Sequence, residues 1–96
     1  MSLEERFESR VLAACRESRE LGYAPVRMEQ MIAELGAVRA VRKLVLNPDI
    51  QSGLLEVNRL GRLDLSMEQI MLEPEFAGLF ADGELASARW RLSQLP

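Results

Sequence analysis

Residues 2–22 read SLEERFESRVLAACRESRELG, and the spacing within this stretch decides the fold class. Ser2 followed by Glu5 is a capping-box pattern, in which the hydroxyl and the carboxylate each satisfy a backbone amide at a helix start. Leu3, Phe7, Val11, Ala14, Cys15 and Leu21 then recur at helical spacing, marking one apolar face. Glu4, Glu8, Arg16, Arg19 and Glu20 fill the other face with both signs of charge, as a solvated surface does. Gly22 offers a stop, because a residue without a Cβ enters the left-handed region freely. The pattern predicts a helix over about residues 3–21.

The same reading continues outward. Pro25 suits the first turn of a second helix, whose apolar stripe is Met28, Met31, Ile32 and Leu35, ending at Gly36. A third helix follows directly with Val38, Val41, Leu44 and Val45 inward. Asn47-Pro48 stops it, since proline disfavours a helical residue before it and lacks an amide hydrogen. After a predicted polar turn, Asp49-Ile50-Gln51-Ser52-Gly53, a short helix carries Leu54, Leu55, Val57 and Leu60 and closes at Gly61. Leu63 and Leu65 alternate with Arg62 and Asp64, which predicts an extended connector. Ser66 with Gln69 forms a second capping box before Ile70, Met71 and Leu72. Pro74 opens a turn holding Phe76, Leu79 and Phe80. Asp82 is placed to cap a last helix, on which Leu85, Ala88, Leu92 and Leu95 share a face. No period-two stretch is long enough for a sheet, and no repeat or low-complexity tract interrupts the chain. The expected fold is all-α: one compact bundle of roughly five to seven short helices with a longer N-terminal helix, in a single domain spanning residues 1–96.

Composition narrows the function classes. The chain has 96 residues, 48% hydrophobic and 28% charged, an ordinary globular balance. Lysine plus arginine is 12 against 15 acids, a net charge of −3, so no strong overall field draws it to nucleic acid or anionic lipid. Histidine is absent, removing imidazole as base or ligand, and the lone Cys15 cannot make an internal disulfide or a multi-thiolate metal site. No apolar run approaches the roughly 18–20 residues that span a bilayer, and the first residues are charged where a signal peptide is apolar. These features predict a cytoplasmic protein without membrane association or cofactor.

Two runs of residues carry a family resemblance. The segment Tyr23-Ala24-Pro25-Val26-Arg27-Met28-Glu29-Gln30-Met31, followed by Gly36-Ala37-Val38-Arg39-Ala40-Val41-Arg42-Lys43-Leu44, is the first. The second is Leu60-Gly61-Arg62-Leu63-Asp64-Leu65-Ser66-Met67-Glu68, with Ser52-Gly53 before it and Leu79-Phe80, Glu84-Leu85, Ala88-Arg89 and Arg91-Leu92 after it. Together they resemble a widespread bacterial family of small helical proteins without an established activity. That family pairs a Tyr-Asn-Pro turn and glycine hinge with a Gly-Arg-Leu-Asp-Leu-Ser/Thr-x-Glu signature. The resemblance covers residues 23–92, leaving residues 1–22 as an added N-terminal helix. Ala24 stands where the pattern has asparagine, and Val57 where it often has tryptophan. The resemblance implies one helical module and no catalytic residue.

Several constellations have both a functional and a plain structural reading. Arg62 is placed to grip a carboxylate or phosphate with Asp64 and Glu68 directing it. The plain reading pairs Arg62 with a nearby carboxylate, makes Ser66 a cap, and sets Glu68 at the positive end of a helix. Asp64 and Glu68 as paired catalytic carboxylates would need burial or a shared proton, and no sequence signal points to either. Arg39, Arg42 and Lys43 share one face of the third helix, and with the Gly36 turn they imitate a helix-turn-helix. Residues 37–62 hold Arg39, Arg42, Lys43, Arg59 and Arg62 against Asp49 and Glu56, a local +3. Residues 63–84 hold Asp64, Glu68, Glu73, Glu75, Asp82 and Glu84 with no base, a local −6. Such a dipole favours charge-steered pairing with a partner or a second copy; an acidic surface imitating nucleic-acid phosphates is the weaker variant.

Cys15 sits on the apolar face and reads as a small buried thiol. Met28, Met31, Met67 and Met71 read as core filling that also suits an adaptable groove. Trp90, between Arg89 and Arg91 and off the last helix's apolar stripe, has the composition of an interface anchor. The expected function is a non-enzymatic protein-interaction or regulatory module whose partner is another protein or a second copy. Its candidate contact residues are Met28, Arg39, Arg42, Lys43, Arg62 and Trp90. A nucleic-acid-binding helical domain using the third helix's basic face is the alternative.

Overall fold

Ser2 accepts from Glu5 N–H at 3.1 Å while the Glu5 carboxylate accepts from Ser2 N–H at 3.0 Å, so the predicted capping box is built. The bond to Ser2 N–H also holds the Glu5 carboxyl below its ordinary pKa. In the computed structural model, described for residues 1–48 and 52–96, this box opens α1, Leu3–Glu20. Next come α2, Val26–Leu35, and α3, Ala37–Leu46. After α4, Ser52–Arg59, the chain forms a 3-10 turn, Leu63–Leu65. It continues into α5, Met67–Met71, a second 3-10 turn, Ala77–Leu79, and α6, Asp82–Ser93. All regular structure among the described residues is helical, and α1 is the longest element. The Cα radius of gyration is 12.2 Å, close to the roughly 12.5 Å of a compact chain of this length.

One contiguous apolar cluster draws on every helix. Phe7 on α1 is its hub: its ring meets Phe76 and Phe80 edge-on, each at 5.3 Å between centroids. These perpendicular contacts set the positive ring edges against negative faces, adding to the area buried. Val11, Ala14 and Cys15 continue the α1 face onto Ala37, Ala40 and Val41 of α3, where the small alanines let the two helices approach. Gly22, Gly36 and Gly61 all adopt positive φ, at 101°, 80° and 72°, and mark three helix ends.

Several local expectations differ from the structure. Leu21, predicted inward, is 41% exposed, because it follows α1's last turn and rides on the cap. Leu63–Leu65 is a 3-10 turn instead of an extended connector; with three residues per turn, positions 63 and 65 point about 120° apart, so Leu65 packs into the core while Leu63 is only half-buried. Ser52 and Gly53 begin α4 instead of lying in a turn; the remaining turn residues, Asp49, Ile50 and Gln51, fall outside the described residues. Asp82 does not cap α6. Ala81 holds that position, and Glu84 accepts from its N–H at 2.8 Å, leaving Asp82 in the first turn where a negative charge suits the helix dipole. On α6 the fully buried residues are Ala88 and Arg91, with Leu85 and Leu92 only half-buried beside them.

Candidate functional site

The local charge excess read from the sequence is spent largely inside the molecule. Arg6 pairs with Glu75 at 3.0 Å, Arg10 with Glu73 at 3.0 Å, and Arg62 with Asp64 at 3.0 Å. Arg42 pairs with Glu84 at 3.4 Å and Arg91 with Glu68 at 2.7 Å. The acidic stretch is therefore the counter-surface for arginines of α1, α3 and α6. Of the six acids in residues 63–84, all but Asp82 are engaged by arginines of this chain, a pairing that only tertiary structure reveals and that leaves less charge to steer a partner than the sequence run suggested.

The second correction concerns Glu68. The sequence set it at a helix start with nothing to suggest burial, yet it is 1% exposed and accepts from Arg91 Nε at 2.7 Å. Arg91, also 1% exposed, donates from Nη1 to the carbonyl oxygen of Asn47, the residue that closes α3. A guanidinium at a helix C-terminus meets the negative end of the dipole, so one side chain ties the ends of three helices together. The pair engages the Glu68 carboxylate inside the fold.

The remaining candidates separate into three places. Arg62 lies between Glu17 at 2.7 Å and Asp64, which raise its pKa and hold its guanidinium charged; in return Arg62 depresses the Asp64 carboxyl. Arg62 therefore clamps α1 to the first 3-10 turn, as the plain reading expected. On α3, Arg42 turns away from its neighbours. It donates to Leu79 O at 2.8 Å and covers the Phe80 ring at 5.9 Å, while Arg39 and Lys43 remain exposed. The three bases thus share a helix face without forming one free basic patch.

Trp90 is 51% exposed and stands beside Leu46, which is 68% exposed. Both border a shallow notch between the end of α3 and the middle of α6, floored by Val45, Ala86 and Ser87. Met28 lies elsewhere, half-buried against the core at the edge of a cavity of about 400 Å³ between α2, α4 and the start of α5. The methionine spacing hinted at an adaptable groove, but the cavity itself could not be placed from the sequence, because its walls come from five separated segments. Cys15 lies in its wall. Burial, with the Glu29 charge second, pushes that thiol up to about 11, against the smaller opposing effects of Arg19 and Arg16. Tyr23 borders it too, its phenol pKa raised by burial and then by Glu56.

Among the described residues no cluster of three or more histidine, cysteine or acidic side chains gathers, and no helix is long and apolar enough to cross a membrane. No protein-family model, curated protein or solved structure matches this chain.

Proposed function

We propose that this protein is a non-enzymatic interaction module that docks through the Trp90 notch onto a second copy of itself. The observation that carries the reading is the joint exposure of Leu46 at the end of α3 and Trp90 on α6, both bordering one notch. Isolated exposed apolar residues are ordinary, but a large aromatic beside an exposed leucine and a shallow apolar recess is the composition of an interface centre. Each copy carries both a projecting ring and a recess, so a two-fold arrangement satisfies both at once. Arg89, next to Trp90 and in no ion pair with a described residue, supplies a polar rim.

The non-enzymatic reading is supported by what the reactive side chains are doing. Cys15 is kept protonated by burial, Glu68 is neutralised by Arg91, and Asp64 is held by Arg62. The nucleic-acid alternative is less well supported, because Arg42 is engaged with Leu79, Phe80 and Glu84. Arg39 and Lys43 alone would make a weak phosphate-binding surface.

Sedimentation equilibrium on the wild type and on Trp90→Ala tests the reading. The wild type is expected to dimerise at tens to hundreds of micromolar, in the range of about 5–6 kcal/mol of association, and Trp90→Ala to remain monomeric. Tryptophan emission should shift to the blue on association. A wild type that stays monomeric with unchanged emission across that range overturns the proposal.

A further inference from the structure

The cavity between α2, α4 and α5 is a second feature, sharing only Asn47 of its lining with the Trp90 notch. Its volume of about 400 Å³ lies within the roughly 300–1,000 Å³ typical of small-molecule sites. Met28, Met31, Leu44, Leu54 and Val57 give it an apolar interior, and the unbranched methionines can follow the shape of a flexible guest. Its charges are lopsided. Arg27 and Lys43 both line it, both are exposed, and neither forms an ion pair with any described residue. Of the bases in no ion pair with a described residue, Arg27 and Lys43 are the two that line this cavity, whereas Arg6, Arg10, Arg19, Arg42, Arg59 and Arg62 are paired elsewhere. The one acidic residue in the lining, Glu68, is already neutralised by Arg91.

We propose that this cavity binds a small amphipathic anion, an apolar chain ending in a single carboxylate. The apolar walls take the chain, and the two unpaired cations take the carboxylate at the rim, where N–H donors to an ionised acceptor are stronger than neutral ones. A cationic amphiphile finds no free carboxylate in the lining. A neutral one gains only the apolar contacts. Two cations match one carboxylate and are too few for a polyphosphate, which ordinarily engages a denser set of donors.

Isothermal titration calorimetry with decanoate below its micelle concentration provides the test, with decanol and decyltrimethylammonium as neutral and cationic controls. Decanoate is expected to bind saturably, one per chain, and to raise the thermal midpoint by mass action. Decanol should bind about tenfold more weakly and the cationic amphiphile not at all. The double substitution Arg27→Gln/Lys43→Met, at two exposed positions, should bring decanoate down to the level of decanol without lowering the midpoint of the free protein. Trp90→Ala should bind decanoate as the wild type does, which separates this site from the proposed dimer contact. Absence of decanoate binding, equal binding of all three amphiphiles, or decanoate binding unchanged by the double substitution would overturn the proposal. The comparison of amphiphiles on the wild type decides the matter even if the double variant is unstable.

Discussion

Glu68 on α5 and Arg91 on α6 meet in the protein interior, with Oε2 and Nε 2.7 Å apart and both residues 1% exposed. Five residues of helix are too few to hold their own conformation in water, so α5 depends on what anchors it. Its anchors are this ion pair, the buried Ile70 and Met71 beside it, and the Ser66 hydroxyl accepting from Gln69 N–H at 3.1 Å.

A buried pair is asymmetric: forming it gains little over a hydrophobic replacement, whereas removing one partner strands a charge. Glu68→Gln and Arg91→Met should therefore each cost about 3–5 kcal/mol of unfolding free energy in urea denaturation. The double variant Glu68→Leu/Arg91→Met, which removes both charges, should be markedly more stable than either single one. A double variant that loses the sum of the single losses would mean that the two residues act independently.

Much of this architecture was legible in the chain and part was not, for a definable reason. The Ser2–Glu5 capping box, the α1 stripe through Cys15, the Gly36 hinge and the Asn47-Pro48 stop depend on neighbours within four residues and are found where local chemistry put them, whereas Ser66 caps α5 without the return bond from Gln69 and Asp82 does not cap α6. The fates of Glu68, Arg91 and Arg42 depend on residues 23 to 42 positions away. A charged side chain reads as solvated unless its partner is known. The local +3 and −6 runs were therefore visible, but the pairing of the acidic run with Arg6, Arg10, Arg42, Arg62 and Arg91 was not. The cavity's position was hidden for the same reason, although three of its methionines have the spacing that suits a groove, while the exposure of Trp90 accords with its departure from its own helix's apolar stripe.

Gly36 carries a second local relationship that can be tested. Its φ of 80° lets α3 begin directly after α2, and the first amide of α3, Ala37 N–H, donates to the Glu8 carboxylate of α1 at 3.0 Å. A Cβ at position 36 would lie 3.8 Å from Glu8 Oε1, an ordinary contact, so the cost of Gly36→Ala is conformational. With ψ at 159° the residue lies in a region essentially reserved to glycine, so the cost should be about 2–3 kcal/mol. Glu8→Ala removes the cap supplied from α1 and should cost about 1 kcal/mol, measured by the shift in urea midpoint at constant m.

Cys15 makes stability fall in alkali. Its thiol is pushed from an ordinary 9.0 up to about 11. Below pH 9 both folded and unfolded chains keep the proton, so the stabilisation is fully present. Between pH 9 and 11 the unfolded chain releases it first, and stability is lost as the pH rises. Two pH units correspond to about 2–3 kcal/mol. Tyr23, also raised, adds to the loss at the upper end. Urea titrations at pH 8, 9.5 and 11 should show the decline in the wild type and a shallower one in Cys15→Ala. An equal slope in both would assign the alkaline loss to other groups.

Gly53 and Tyr23 should be energetically coupled, and the sign is readable from the geometry. A Cβ built on Gly53 falls 2.8 Å from the Tyr23 hydroxyl oxygen and 3.6 Å from the ring carbon that bears it. Gly53 is the second residue of α4, where alanine would otherwise favour the helix by up to about 1 kcal/mol. In the wild-type background that gain is offset by displacement of the phenol, so Gly53→Ala should be neutral to destabilising. Tyr23→Phe removes the atom that clashes and leaves only ordinary contact with the ring. Alanine at position 53 should therefore be stabilising in the Tyr23→Phe background, with a coupling of about 1 kcal/mol in a double-mutant cycle. Additive effects of the two substitutions would mean that the phenol has room to swing aside, and that α4 is not held against α2's leading turn by this contact.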